Sequence, residues 1–333
     1  MASPTAEPRL RPLVGQERRL ADALRRDVSA ARLRADLEAL PAPRHRPSDP
    51  RRVEAAERLV ESWLRDAGWP ARRRRFAGGT NVVALREGAE PEALLLVAHL
   101  DTVEGSIGAD DNGSGVVALA ELARQLAPMP LRRSVLLAAV DLEEAGGFAG
   151  AEALIHELSA ERQIVGAIVF DAIAFTDSRP DSQHIPAGLG LLYPGQLARA
   201  REQQMSGSWT LVVYRASSLP LARAFGEGLA EIAGSDVPIL VRDPADLPLI
   251  GRVLRLAVPT VRHFARSDHV AFWRNAIPAI QVTDTADLRN PRYHTPFDLP
   301  ATLDCRRLAD TVAATAVAIA RLAGTQPGRP KTG

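Results

Sequence analysis

Three stretches of the chain are continuous runs of apolar residues, and each run is followed directly by acids or a histidine. The runs lie within residues 92–99, 134–140 and 165–170, and amphipathic segments at 115–126 and 148–158 separate them. Continuous apolar strands that alternate with amphipathic helices indicate a mostly parallel sheet covered on both faces. Ligands of open α/β sheets bind beyond the carboxyl ends of the strands. The charged residues after these strands therefore mark a candidate site.

The same alternation continues through the rest of the chain. The pattern predicts a helix that starts at Pro50 with Asp49 as its cap, and β segments at 71–76 and 80–86. Further strands are expected at 210–214, 238–241 and 279–284, and further helices at 219–233, 270–274 and 306–322. The predicted fold is an α/β doubly wound, mostly parallel central sheet with helices on both faces, an α/β/α sandwich.

The domain organisation follows from composition. We expect residues 1–40 to be an N-terminal extension, partly disordered or helical, with a basic helix from Glu17 to about Leu40. Residues 41–324 are predicted to form a single domain, and residues 325–333 a disordered tail. Residues 172–209 show little regular pattern, and a loop that long inside a compact domain is usually functional or disordered. We expect this segment to shape the ligand pocket.

Charge and cysteine content narrow the function classes. A net charge of +1 provides no field for a polyanion, so we expect no nucleic-acid partner. The run of four arginines at 72–75 is typical of a solvated edge strand. Cys305 is the only cysteine, so no disulfide forms within the chain. Because no secretory signal and no membrane-length apolar run are found, we expect a cytoplasmic protein without a membrane partner.

Five residues in or after these strands and loops have side chains suited to metal binding. They are His99, Asp111, Glu144, Asp171 and His294. Two imidazoles with three carboxylates suit zinc or a similar divalent ion. Three carboxylates exceed the need of one zinc ion, whereas two ions that share a bridging carboxylate would use them all. Glu143 would then be a free carboxylate beside the metals, suited to accept a proton from water.

Several motifs carry a resemblance to a known family. They run from about Asn81 to Asp298, in the order NVVAL, HLDTV, ADDNGSG, DLEEAGGFAGA, FDAIAF, SDHVAF and YHTPFD. In this order and spacing the chain resembles family twenty-eight of the metallopeptidases, the di-zinc aminopeptidases. The resemblance implies two co-catalytic zinc ions and hydrolysis of the N-terminal peptide bond of a peptide with a free N-terminus, by a water that bridges the ions.

The resemblance also implies roles for individual residues. His99 and Asp171 would hold one metal, Glu144 and His294 the other, and Asp111 would bridge them. Glu143 would be the general base and acid, Asp101 would orient the His99 imidazole, and Tyr293 would help to polarise the substrate carbonyl. Asp110 is excluded because Asp111 heads the Asn-Gly-Ser-Gly turn, as the bridging acid of the family does. Asp268, in the Ser-Asp-His motif, is expected to support the site without binding metal.

Three alternatives remain open at this point. A glutaminyl cyclase-like acyltransferase would use one zinc ion, but the intact turn at Asp111 disfavours it. A di-zinc carboxypeptidase or acylase usually places its bridging acid further from the histidine than the twelve residues between His99 and Asp111, and carries an inserted dimerisation domain. A metal-free binding module would have lost ligands, and none is missing. The sequence predicts no oligomeric state.

Overall fold

The computed structural model describes residues 5–324, apart from the side chain of Arg252. Residues 1–4 and 325–333, which include the predicted tail, lie outside the described residues. Within the described part no helix is both long and apolar enough to cross a membrane.

The helices and strands largely follow the predicted order. The α-helices are α1 Gly15–Asp27, α2 Ala30–Ala39, α3 Pro50–Asp66, α4 Gly115–Leu126, α5 Ala149–Ser159, α6 Leu189–Leu192, α7 Pro194–Glu202, α8 Leu219–Ala233, α9 Gly251–Ala257, α10 His269–Arg274 and α11 Cys305–Ala323. The strands are β1 Ala71–Phe76, β2 Gly79–Arg86, β3 Glu90–His99, β4 Arg133–Val140, β5 Ile164–Phe170, β6 Thr210–Tyr214, β7 Pro238–Arg242 and β8 Ala279–Thr283.

The eight strands form one mixed sheet in the order β1-β2-β4-β3-β5-β8-β6-β7. Strands β4, β3, β5 and β8 are parallel, whereas β2 joins β4 and β6 joins β8 in antiparallel fashion. His99 pairs in register with Val140, so β3 and β4 end at the same level of the sheet. The predicted α/β sandwich is confirmed, and the candidate residues meet at the carboxyl edge of its parallel centre.

The apolar side chains of β3 alternate between two cores. Leu94 and Leu96 face the core under α1, α2, α3, α4, α8 and α11, while Leu95 and Val97 face the core under α5 and α10. All four side chains are at most 3% exposed. A strand covered on both faces has no solvent side, which explains why this run is apolar without interruption.

Three local features differ from the sequence predictions. The single helix expected over 17–40 is two helices, because Ser29 breaks it and accepts a hydrogen bond from the Arg32 amide at 3.2 Å. The segment 172–209 contains helix α7, and helix α9 lies where no element was predicted. Leu24 and Leu33 are buried in the main core, so α1 and α2 pack on the sheet layer. The domain boundary at residue 40 stays a prediction.

Candidate metal centre

The structure brings the five predicted ligands together at the carboxyl edge of the sheet. His99 ends β3, Asp111 lies in the turn before α4, and the other three follow β4, β5 and β8. Their potential ligand atoms form two groups, and within each group the atoms lie within 4.8 Å of one another. The first of the two groups is His99, Asp111 and Asp171, and the second is Asp111, Glu144 and His294; a third group of the same spacing joins His99 and Glu144 to Glu143, which is outside the five predicted ligands. Asp111 is the only member that the two groups share.

The carboxylate of Asp111 lies between the two imidazoles. Its Oδ1 is 3.1 Å from His99 Nε2 and its Oδ2 is 2.9 Å from His294 Nε2. Despite these distances, neither oxygen has a partner with hydrogen-bond geometry within residues 5–324, and the same holds for His294 Nε2 and Glu144 Oε1. Buried polar atoms are nearly always satisfied. Donor atoms that converge without bonding one another fit a shared cation, and imidazole with carboxylate is a donor set for zinc.

The remaining two contacts complete each group. Glu144 Oε1 lies 3.2 Å from His294 Nε2, and Asp171 Oδ1 lies 3.8 Å from His99 Nε2. Gln281, on β8, donates to Asp171 Oδ2 at 3.4 Å and so restrains that carboxylate. Each group thus contains one histidine, one carboxylate of its own and the shared Asp111.

The pKa values show that this cluster has more negative charge than it can balance alone. Burial raises the pKa of Glu143 well above its usual range, and only the nearby His99 opposes this shift. Burial and the charge of Asp111 also raise the pKa of Glu144. Burial would lower the pKa of His294, but its contacts with Asp111 and Glu144 raise it to about 10. In the metal-free chain protons therefore supply the positive charge that bound cations would supply.

Asp101 contacts the site through its backbone carbonyl and through its carboxylate. His99 Nδ1 lies 3.1 Å from the backbone carbonyl oxygen of Asp101 and 3.7 Å from its carboxylate, so the carbonyl makes the shorter contact. The carboxylate accepts the backbone amides of Glu143 and Glu144, each at 3.1 Å. Asp101 therefore links the loop after β3 to the loop after β4.

The two other predicted catalytic residues adjoin the ligands. Glu143 is 8% exposed, and its carboxylate lies within 4.8 Å of ligand atoms of His99 and Glu144. The Tyr293 ring stacks on the His294 imidazole with centroids 3.8 Å apart and an angle of 17° between the planes. Asp110, by contrast, belongs to neither ligand group. It accepts hydrogen bonds from the Ala174 amide and the Asn290 side chain, each at 3.0 Å.

Sequence reasoning assigned no role to Asp298, although the residue closes the YHTPFD motif. Its carboxylate accepts the amide of Asp110 at 3.0 Å and the amide of Asp111 at 3.2 Å. Asp268, expected to support the site, is 1% exposed, and both its carboxylate oxygens lack a hydrogen-bond partner within the described residues. Burial raises its pKa to about 7. For Asp298, the only signal in the sequence is its position at the end of the YHTPFD motif.

A cavity opens beside Asp171 and Tyr293. Its walls are mostly apolar and include Leu189, Val213 and Phe264. At its rim Arg266 donates to Asp287 at 2.8 Å. Leu189 belongs to the segment 172–209, so this segment contributes a wall of the cavity.

Comparisons with known proteins identify the family of the chain. The sequence model of Peptidase family M28 matches residues 81–210 and 251–319. The Escherichia coli (strain K12) protein YfbL is 30% identical over 244 residues, which span 70% of this chain and 68% of that protein.

Solved structures share the fold. LapB from Legionella pneumophila is 17% identical with a TM-score of 0.68, over 96% of this chain and 78% of that chain. The aminopeptidase from Aneurinibacillus sp. strain AM-1 is 13% identical with a TM-score of 0.68, over 92% of this chain and 97% of that chain. Porphyromonas gingivalis glutaminyl cyclase is 18% identical with a TM-score of 0.63, over 89% and 99%. On the match to the family model and the relationship to YfbL, the chain belongs to peptidase family M28 and is a metal-dependent peptidase.

Proposed function

We propose that the protein is an aminopeptidase that binds two divalent ions, zinc by the chemistry of the donors. His99 and Asp171 would hold one ion, Glu144 and His294 would hold the other, and Asp111 would be shared between them. The observation that carries this proposal is the position of the Asp111 carboxylate, which reaches both imidazoles while its own oxygens lack hydrogen-bond partners. A single-ion site would leave one of these histidines without a function.

Glu143 is the proton carrier in this proposal. Zinc ions, when bound, lower the pKa of the attacking water and withdraw electron density from the scissile carbonyl. Glu143 accepts the proton of that water and donates it to the leaving nitrogen. In the metal-free chain its burial raises its pKa well above that of an ordinary glutamate. The backbone amide of Glu143 donates a hydrogen bond to the Asp101 carboxylate, and this bond fixes the backbone position of Glu143.

Two features favour attack on an N-terminal residue. The apolar cavity beside Asp171 accepts a single side chain next to the reacting centre. Asp268 adds a buried carboxylate with no hydrogen-bond partner in the described chain, close enough to Asp171 and Glu144 for their charges to raise its pKa. This excess negative charge complements the ammonium group of a free N-terminus and disfavours an acylated one. Tyr293, stacked on His294, is placed to donate to the substrate carbonyl.

The proposal is tested by a metal count together with a substrate comparison. We expect about two zinc ions per chain, release of leucine from a leucyl-arylamide, and no release from the N-acetylated compound. A chelator should abolish the activity, and added zinc should restore it. About one ion per chain with pyroglutamate formed from glutaminyl peptides would instead support a glutaminyl cyclase, and cleavage of N-acyl amino acids an acylase. A chain that binds no zinc would support a metal-free module.

A further inference from the structure

The proline-rich loop 41–48, which joins α2 to α3, contacts two of the loops that carry the proposed ligands. It lies outside the ranges 81–210 and 251–319 that match the family model. The two arginines of this loop make these contacts. Arg44 contacts the loop after β3, and Arg46 contacts the loop after β4.

Arg44 is 1% exposed and is the largest of the fully buried side chains. Its Nε donates to the Leu100 carbonyl at 2.7 Å, its Nη2 to the Gly108 carbonyl at 2.6 Å, and its Nη1 to the Ile107 carbonyl at 3.3 Å. The backbone carbonyl of Arg44 accepts a hydrogen bond from the Thr102 amide at 3.2 Å. The backbone amide of Arg44 donates to Thr102 Oγ1 at 3.1 Å. All these partners lie between His99 and Asp111, so Arg44 fixes the path of the chain from one ligand to the next.

The Arg44 guanidinium is unusual because it has no bonded counter-ion. Within residues 5–324 every hydrogen bond that it donates goes to a backbone carbonyl. A buried charge normally requires a paired charge. Burial lowers the pKa of Arg44 to about 10, while the negative charges of Asp298, Asp111 and Asp101 oppose the shift, so the group stays charged at neutral pH. The acidic metal centre itself is the counter-charge.

Asp298 holds the same turn that Arg44 contacts. It binds the amides of Asp110 and Asp111, whereas Arg44 binds the carbonyls that precede them. The turn between these contacts is tightly packed, since a Cβ on Gly108 would lie 2.3 Å from Thr102 Cγ2 and 2.5 Å from the Asp111 carbonyl oxygen. The turn therefore has little room to move the Asp111 carboxylate.

Arg46 acts on the second loop. Its guanidinium bonds the buried carboxylates of Asp141 and Glu57. Asp141 also accepts the amides of Thr80 and Leu142, each at 3.0 Å, and it stands two residues before Glu143. The start of the loop that carries Glu143 and Glu144 is thus tied to the same loop 41–48.

We propose that loop 41–48 is a positioning element for the metal centre, in which Arg44 sets the place of Asp111 and Arg46 sets the place of the Glu143–Glu144 loop. The inference rests on the proposed ligand set. Groups that orient metal ligands typically change metal affinity by about 10- to 100-fold. Because the effect acts on the ligands before metal arrives, it is measured as zinc affinity and not only as catalytic rate.

The experiment measures the zinc dissociation constant of the purified full-length chain by competition with a chromogenic chelator. We expect Arg44→Lys to weaken binding about tenfold or more, because lysine keeps the charge but lacks the fork that holds three carbonyls. Asp298→Asn should also weaken binding. Since both residues hold one loop, the double variant should weaken binding by less than the product of the two single effects. If the two single effects multiply in the double variant, Arg44 and Asp298 act independently, and the role of a shared loop is overturned.

A matched control separates positioning from general stability. Val317→Ala removes a fully buried side chain from the middle of α11 and destabilises the fold without touching either loop. We expect it to lower the thermal unfolding midpoint of the metal-free chain while zinc affinity is unchanged. If Arg44→Lys does not fold, zinc affinity and thermal stability are compared for Arg46→Lys, since Arg46 is less buried than Arg44. Equal zinc affinity in wild type and the arginine variants overturns this inference, whereas a wild type that binds no zinc overturns the proposed function itself.

Discussion

Replacement of Glu143 by glutamine tests the proposed chemistry most directly. Glutamine has the same shape and keeps the backbone amide that donates to Asp101 at 3.1 Å, so the loop should not move. Glu143 belongs to neither of the two groups joined by Asp111, so both proposed ions keep their ligands. The change therefore removes the group that accepts and returns a proton and little else.

The structure sets the expected size of the effect. A positioned general base or acid contributes about 10²- to 10⁴-fold to the rate. Glu143 is only 8% exposed, so bulk water has poor access to replace it, and we expect the upper half of that range. A loss of about 10³- to 10⁴-fold in kcat corresponds to about 4 to 5.5 kcal/mol of transition-state stabilisation. KM should change little, because the substrate contacts remain.

The assay compares kcat, KM and bound zinc in wild type and Glu143→Gln with a leucyl-arylamide. Glu54→Gln, an exposed glutamate on α3, is the matched control and should leave all three values unchanged. A Glu143→Gln enzyme with full zinc content and a loss of kcat below about tenfold would refute the assigned role. A loss of zinc would instead support a ligand role for Glu143, whose carboxylate groups with His99 and Glu144.

Three further predictions follow from the site. Asp111→Asn should lower the zinc content from about two ions per chain to one or fewer, measured by mass spectrometry, with activity lost in parallel. Val213→Phe narrows the cavity beside Asp171 and should lower kcat/KM for leucyl- relative to alanyl-arylamide by about tenfold or more, as packed pockets discriminate between side chains of different size. The metal-free chain should become less stable as the pH rises from about 6.5 to 10. The pKa of His294 is raised from 6.5 in the unfolded chain to about 10 in the folded chain. The charged imidazole therefore stabilises the fold fully below pH 6.5, and this contribution is lost as the pH rises through 10. A thermal unfolding midpoint that rises with pH in chelator would contradict this.

The central sheet and the ligand set could be predicted because each leaves a local signal. Residues 94–97 are apolar without interruption because both faces of β3 are covered, and that pattern is readable along the chain. The ligands lie where such strands end, inside motifs of fixed spacing. The short helix α7, by contrast, lies in a segment whose apolar residues face a cavity and neighbouring loops, so no clear helical period appears.

Arg44 could not be predicted for a different reason. Nearly all of the 41 basic residues are arginines, and nothing in the local sequence separates the buried Arg44 from the exposed Arg51. Arginine is almost never fully buried unless paired. Three of the four carbonyls that the Arg44 guanidinium contacts are 56 to 64 residues away, and backbone carbonyls carry no sequence signal. Burial of this kind is decided by the packing of loops, which the sequence pattern does not encode locally.

The charge of the centre links the proposed ions to the proposed substrate. Six carboxylates lie in or beside it: Asp101, Asp111, Glu143, Glu144, Asp171 and Asp268. With both histidines neutral as ligands, two divalent ions would offset four of these negative charges, and Arg44 lies close enough to Asp111 and Asp101 for their charges to raise its pKa against the effect of burial. A chain that bound no metal could keep these buried acids only by binding protons at the carboxylates and histidines, and this cost argues against a metal-free module. The unpartnered carboxylate of Asp268 suits the ammonium group of a free N-terminus, and that complementarity favours an aminopeptidase over an enzyme for acylated substrates.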